Sequence, residues 1–89
     1  AIPATGGGSA LLTGLGWQSD RRLKENIQKI GESISGLGIY KFNYIGKAKQ
    51  YIGAMADEVI KVFPEAVVTM SNGYLGVNYN LIDVTFKEV

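Results

Sequence analysis

The chain has 89 residues and a formal net charge of +1. Its Gly-rich opening leaves about 70 residues for a core, which is room for one domain at most. It contains no cysteine and no histidine, which excludes disulfides, thiolate and imidazole metal sites, and every Ser-His or Cys-His catalytic arrangement. Without such a staple, association of identical copies is the remaining route to more buried area, and the near-neutral charge argues against a general polyanion binder.

Residues 1–18 (AIPATGGGSALLTGLGWQ) hold five glycines, one proline and no charged side chain. Gly6, Gly7 and Gly8 cannot hold a regular element. No Gly-Lys-Ser/Thr follows them, so this is not a phosphate-binding loop. The segment reads as a linker or the end of an upstream region, with Leu11, Leu12, Leu15 and Trp17 offering a short apolar contact. It lacks the basic opening of a signal peptide, and no apolar run approaches the ~20 residues of a membrane span. The charge-free stretch ends at Ser19, where the hexapeptide SDRRLK opens a folded module over residues 19–89.

Residues 23–30 carry Leu23, Ile27 and Ile30 at i, i+4 and i+7, which suits a helix, while the short length and Gly31 also permit a strand. Ser19 is an acceptable N-cap, although Arg22 at the third position rules out a capping box. Residues 39–45 are clearer. Tyr40, Phe42 and Tyr44 alternate with Lys41 and Asn43, predicting a strand with one aromatic face. Residues 46–50 turn and 51–55 return as its partner, with Gly53 leaving room for close packing.

Residues 56–63 predict a two-turn helix with Met55, Val59, Val62 and Phe63 on one face. Asp57 and Glu58 sit in its first turn, where capping and the helix dipole favour them, and Pro64 stops it. Glu65 reads as solvated. Residues 66–70 and 74–79 predict a second hairpin about Asn72-Gly73, a type I′ signal that sets Val68 opposite Val77 and Met70 opposite Leu75.

Residues 20–49 carry seven Lys/Arg against three Asp/Glu, and residues 50–89 carry two against five. These read as ordinary solvated faces, which can also pair within the fold or between subunits. The aromatic strand face reads as core rather than as a base-stacking platform, so nucleic acid is not expected as a partner. The expected fold is a small α+β domain: two antiparallel hairpins with one short helix between them.

One pair carries candidate chemistry. Ser19 and Lys24 stand five apart. A serine hydroxyl needs a base, and a lysine amine serves only if its pKa falls from about 10.4 toward neutrality. Desolvation against Leu23 and Ile27, and like charge from Arg21 and Arg22, act in that direction. Spacing alone makes the pair ordinary: Ser19 caps a turn, and Arg21, Arg22 and Lys24 face solvent or a neighbouring subunit.

The strings SDRRLKENI, IYKFNY, IGAMADEV, VFPEAV and GYLGVNY follow one another in unbroken order. Over residues 19–82 they resemble the endosialidase-type intramolecular chaperones, auto-cleaving C-terminal modules of phage tail fibres, tailspikes and other virion proteins. The resemblance implies a homotrimer that assists folding of its own upstream chain, within a virion protein assembled in the host cytoplasm. The implied partners are that upstream chain, identical subunits and other virion proteins, with no cofactor and no metal.

It further implies a serine-lysine dyad. The Ser19 hydroxyl would attack the carbonyl of Gln18 with Lys24 as general base, water would resolve the ester, and a single-turnover cut between Gln18 and Ser19 would free the module. Two features depart from the family pattern. Asp57 stands where a glutamine is usual, and residues 80–89 offer at most a turn or two in place of a long trimer-forming helix.

A second reading keeps the module attached. GGGSALLTGLG is unlike the end of a β-helical fibre and more like the flexible tails of phage DNA-transfer (ejection) proteins. The module would then be an uncleaved docking or folding cap on such a protein or on a tail structural protein. Whether this chain cuts itself stays open at this level.

Overall fold

The structure, a computed structural model, describes residues 18–89. The linker expected over residues 1–18 lies outside the described residues, Gln18 excepted. A 3-10 turn, Arg21–Leu23, leads into β1 (Lys24–Glu32), followed by β2 (Gly38–Tyr44), β3 (Gln50–Gly53) and helix α1 (Ala56–Val62). A second 3-10 turn, Pro64–Ala66, precedes β4 (Val67–Thr69) and β5 (Leu75–Val77). A third, Tyr79–Leu81, precedes β6 (Lys87–Glu88). One sheet has the order β1-β2-β3-β6, and a second pairs β4 with β5. The α+β class and the two hairpins agree with the sequence. The return of residues 87–88 to β3, through Tyr51↔Glu88 and Ile52↔Lys87, was not legible there.

Residues 23–30 are a strand entered from a turn, and a bulge explains their helix-like spacing. The β1–β2 register slips between Glu25 and Gln28, where Asn26 takes a φ of 54°. Asparagine tolerates that left-handed region better than most residues. The bulge shifts the pleat, so Lys24 and Ile27, three positions apart, both reach the aromatic cluster of β2. The rest of β1 is exposed and mostly polar, with Ile30 the apolar exception, as suits an edge strand. Asn26 Nδ2 donates to Asn43 Oδ1 at 2.7 Å. Asn43 is buried rather than set on a polar face, and its amide also donates to Glu25 and to the Lys47 carbonyl.

Tyr40, Phe42 and Tyr44 of β2 form a buried cluster with Met55, the aromatic core expected of this strand. A second cluster gathers Leu37, Ala54, Val59, Val77, Tyr79 and Val84, and Phe86 packs against both. In α1 the inward positions are Ala56, Val59 and, just past its end, Phe63. Val62 is 45% exposed and falls off the face predicted for it.

The second hairpin is one residue out of the expected register, with Val67↔Val77, Val68↔Gly76 and Thr69↔Leu75. Its loop holds three residues, not two. The Met70 N–H donates to the Tyr74 carbonyl at 2.8 Å and the Gly73 N–H to the Met70 carbonyl at 2.9 Å. Gly73 has a φ of 87°, whereas Asn72 stays at negative φ. This is a type I turn closed by a left-handed glycine. Asn72 selects it, because its Oδ1 accepts from the Tyr74 N–H at 3.0 Å, the habitual bond of an Asx turn. Among the described residues, no helix is long and apolar enough to cross a membrane.

Candidate functional site

The peptide bond between Gln18 and Ser19 is enclosed on several sides by the fold. Gln18 forms an antiparallel bridge with Gly76, and its carbonyl accepts from the Tyr44 hydroxyl at 2.8 Å. Ser19 is fully buried. Its carbonyl accepts from the Ala56 N–H at 2.8 Å and from Lys24 Nζ at 3.1 Å. Its Oγ lies 2.7 Å from the Tyr79 hydroxyl.

The turn between Ser19 and Lys24 is set by Asp20, not by Ser19. Asp20 is the N-cap of Arg21–Leu23 and accepts from the Arg22 N–H. The Arg22 guanidinium clasps the same carboxylate at 2.8 and 3.0 Å, and the Leu75 N–H reaches it at 2.9 Å. The Arg22 hydrogen bond, helped by the Leu75 N–H, holds the Asp20 carboxyl well below the usual carboxylate range. One buried carboxylate thus ties the turn to β5 and hence to the strand that bridges Gln18.

Lys24 is the only residue of β1 that is buried. Its ammonium donates to the carbonyls of Ser19 and Ala54, the latter at 2.9 Å, lies 3.7 Å from Met55 Sδ, and stands 4.3 Å from the Phe42 ring centroid. Burial, with the charge of Arg21 behind it, lowers its pKa from 10.5 to about 7. Both effects were expected, with one correction. The like charge comes from Arg21 and not from Arg22, which pairs with Asp20. Arg21 is exposed, as expected, and pairs with Asp57 at 3.4 Å and Glu58 at 3.2 Å. Those two acids do not cap α1, whose N-cap Met55 makes no side-chain bond. Glu58 instead accepts from the Tyr40 hydroxyl and the Gly38 N–H.

Gln18, Ser19 and Lys24, the three residues singled out from sequence, therefore come together at one buried point. Their contacts differ from the expected dyad in one respect. Among the described residues, Lys24 Nζ is hydrogen-bonded to the carbonyl of Ser19, and the partner of the hydroxyl is Tyr79. The Tyr79 hydroxyl accepts from the Ala54 N–H at 3.0 Å. Burial raises its pKa, so it holds the serine oxygen without being able to deprotonate it. Sequence reasoning placed Tyr44 on an aromatic core face and Tyr79 at the end of the second hairpin, and missed both hydroxyls. The available signal was generic: a buried phenol needs a partner for its O–H.

Residues 19–68, more than half of the chain, match the family described as chaperone of endosialidase. The chain belongs to that family. The match begins at Ser19, the residue at which the described fold closes around the backbone, and it takes in β1, β2, β3 and α1. No curated protein and no solved structure matches the chain. Membership in the chaperone-of-endosialidase family supports an intramolecular chaperone role, acting on the chain that precedes the module. Tyr79 lies beyond the matched residues, and Tyr44 lies within them.

Proposed function

We propose that this chain is the intramolecular chaperone module of a phage virion protein, and that it frees itself by one cut between Gln18 and Ser19. The observation that supports the cut is that Ser19 is fully buried and that the buried Lys24 amine donates to its carbonyl at 3.1 Å. An amine whose pKa is near 7 is in part neutral at physiological pH and can take a proton. The Ser19 Oγ attacks the Gln18 carbonyl carbon and its proton passes to Lys24. The C–N bond to Ser19 breaks as its nitrogen is protonated. Water then hydrolyses the ester, leaving a carboxylate on Gln18 and restoring the serine. For Lys24 to receive the proton, its Nζ exchanges its bond to the Ser19 carbonyl for one to Oγ.

The chaperone action itself is association. Three modules that trimerise hold three upstream chains in register and convert a three-body search into an effectively intramolecular one. Long-range β pairing is slow and prone to aggregate, so that help has a physical purpose. Apolar side chains left in solvent, among them Ile30, Ile34 and Ile45, support burial against identical subunits. Assembly in the host cytoplasm and residence in the virion belong to the same proposal.

The test is intact mass of the chain with its residues upstream of Ser19, in wild type, Ser19→Ala and Lys24→Met. Loss of everything before Ser19 in the wild type alone establishes the cut. Three uncut masses would support the retained cap of a DNA-transfer or tail protein. Light scattering on the same samples tests the trimer, which a stable monomer removes.

A further inference from the structure

A peptide carbonyl under attack by an oxygen nucleophile needs a donor for the negative charge that forms on its oxygen. We propose that Tyr44 is a catalytic residue of the cut, its phenolic O–H receiving the oxyanion formed on the Gln18 carbonyl oxygen. The inference rests on the self-cleavage reading above and adds to it the electrophilic half of the site.

The geometry points there from three directions. The Tyr44 hydroxyl already donates to that oxygen at 2.8 Å, so the bond only strengthens as the carbonyl gains charge. Tyr44 is also the cross-strand partner of Lys24 in the β1–β2 pairing. One register therefore delivers the proton acceptor and the oxyanion donor to the same peptide bond. The ring is held firmly, 4% exposed, edge-on to Phe42 at 5.3 Å and tilted against Tyr51 at 5.5 Å. A donor fixed in advance needs no reorganisation when charge appears.

Burial pushes the Tyr44 phenol well above its ordinary range. It therefore stays an O–H donor across the range in which Lys24 loses its proton. In the step itself the Ser19 Oγ–carbon bond forms and the carbonyl π pair moves onto the Gln18 oxygen. That oxygen is held by Tyr44 while the serine proton goes to Lys24. On collapse the pair returns, the Gln18–Ser19 C–N bond breaks, and Lys24 hands its proton to the departing nitrogen. Tyr44 gains and loses no proton in the cycle. Tyr79 holds the attacking oxygen and Tyr44 the receiving one, so the two phenols bracket the reacting atoms.

The experiment measures the rate at which the chain is converted to the fragment beginning at Ser19. It compares wild type, Ser19→Ala, Tyr44→Phe, and a chain carrying 3-fluorotyrosine at position 44, each with its melting temperature. Tyr44→Phe should slow the cut by about 10²- to 10³-fold, with the pH midpoint set by Lys24 unchanged. The fluorinated phenol, a stronger donor, should speed it. A wild type that folds and is never cut overturns the self-cleavage reading and this role with it. A wild type that is cut while Tyr44→Phe is cut equally fast overturns the role of Tyr44 alone. If Tyr44→Phe fails to fold, the fluorinated chain decides, and a rate unchanged from wild type rejects the proposal.

Discussion

The Tyr79 hydroxyl stands 2.7 Å from the Ser19 Oγ although 60 positions separate the two residues. The phenol arrives from the 3-10 turn after β5, which Asn78 caps by accepting from the Asn80 N–H. The first residue of the module is thus locked by one of its last elements. The environment of Ser19 is complete only when the second hairpin and the turn after it have packed.

Removing that hydroxyl should be costly out of proportion to its size. Tyr79→Phe leaves the Ala54 N–H and the Ser19 Oγ without their partner in a buried site, and an unmet buried polar group costs about 1–3 kcal/mol. Urea unfolding should show that loss, and the cut should slow as the serine oxygen loses its anchor. A variant within about 0.5 kcal/mol of wild type would show that water or another group replaces the phenol.

Lys24 should make stability depend on pH in a direction opposite to a surface lysine. Its folded pKa of about 7 lies below the ordinary value of 10.5. The unfolded chain therefore binds more protons between those values, and stability rises with pH across that window. Below pH 7 the penalty for burying the ammonium is present in full. Lys24→Met keeps the side-chain volume and removes the titration. The difference in unfolding free energy between Lys24→Met and wild type should shrink by about 2–3 kcal/mol from pH 6 to pH 9. Parallel stability curves over that range would exclude a depressed lysine.

Gly53 should be intolerant of even a methyl group. A Cβ there would come within 2.7 Å of the Tyr79 hydroxyl and 3.2 Å of Phe86. The phenol cannot retreat without leaving Ser19 and the Ala54 N–H. Gly53→Ala should lose about 1–3 kcal/mol, the usual cost of overpacking, and should slow the cut together with it. A variant of unchanged melting temperature and unchanged cutting rate would show that Tyr79 has slack. Gly31→Ala, whose added Cβ would meet nothing within 4 Å, serves as the neutral comparison.

Local patterns carried a good part of this description. The alternation of Tyr40, Phe42 and Tyr44 marked β2 and its buried face, because strand geometry has a period of two wherever one face is covered. Asp57, Glu58 and Pro64 bounded α1 because a helix dipole and a missing N–H act within one turn. Elsewhere a local signal was outvoted. Leu23 and Ile27 imitate a helix because a bulge at Asn26 shifts the pleat. Asn72-Gly73 reads as a two-residue turn, yet the Asn72 side chain closes onto the Tyr74 N–H and moves every partner by one.

For the site the division is sharper. The order and types of residues determined that a hydroxyl and an amine stand five positions apart behind a charge-free segment, with no histidine or cysteine to do their chemistry. Which oxygen each group touches was decided only in three dimensions. Burial lowers the Lys24 pKa, and the Gln18 and Ser19 oxygens acquire phenol partners from β2 and from the turn after β5. Desolvation and hydrogen bonding depend on what surrounds an atom in space, and those neighbours lie up to 60 residues away along the chain.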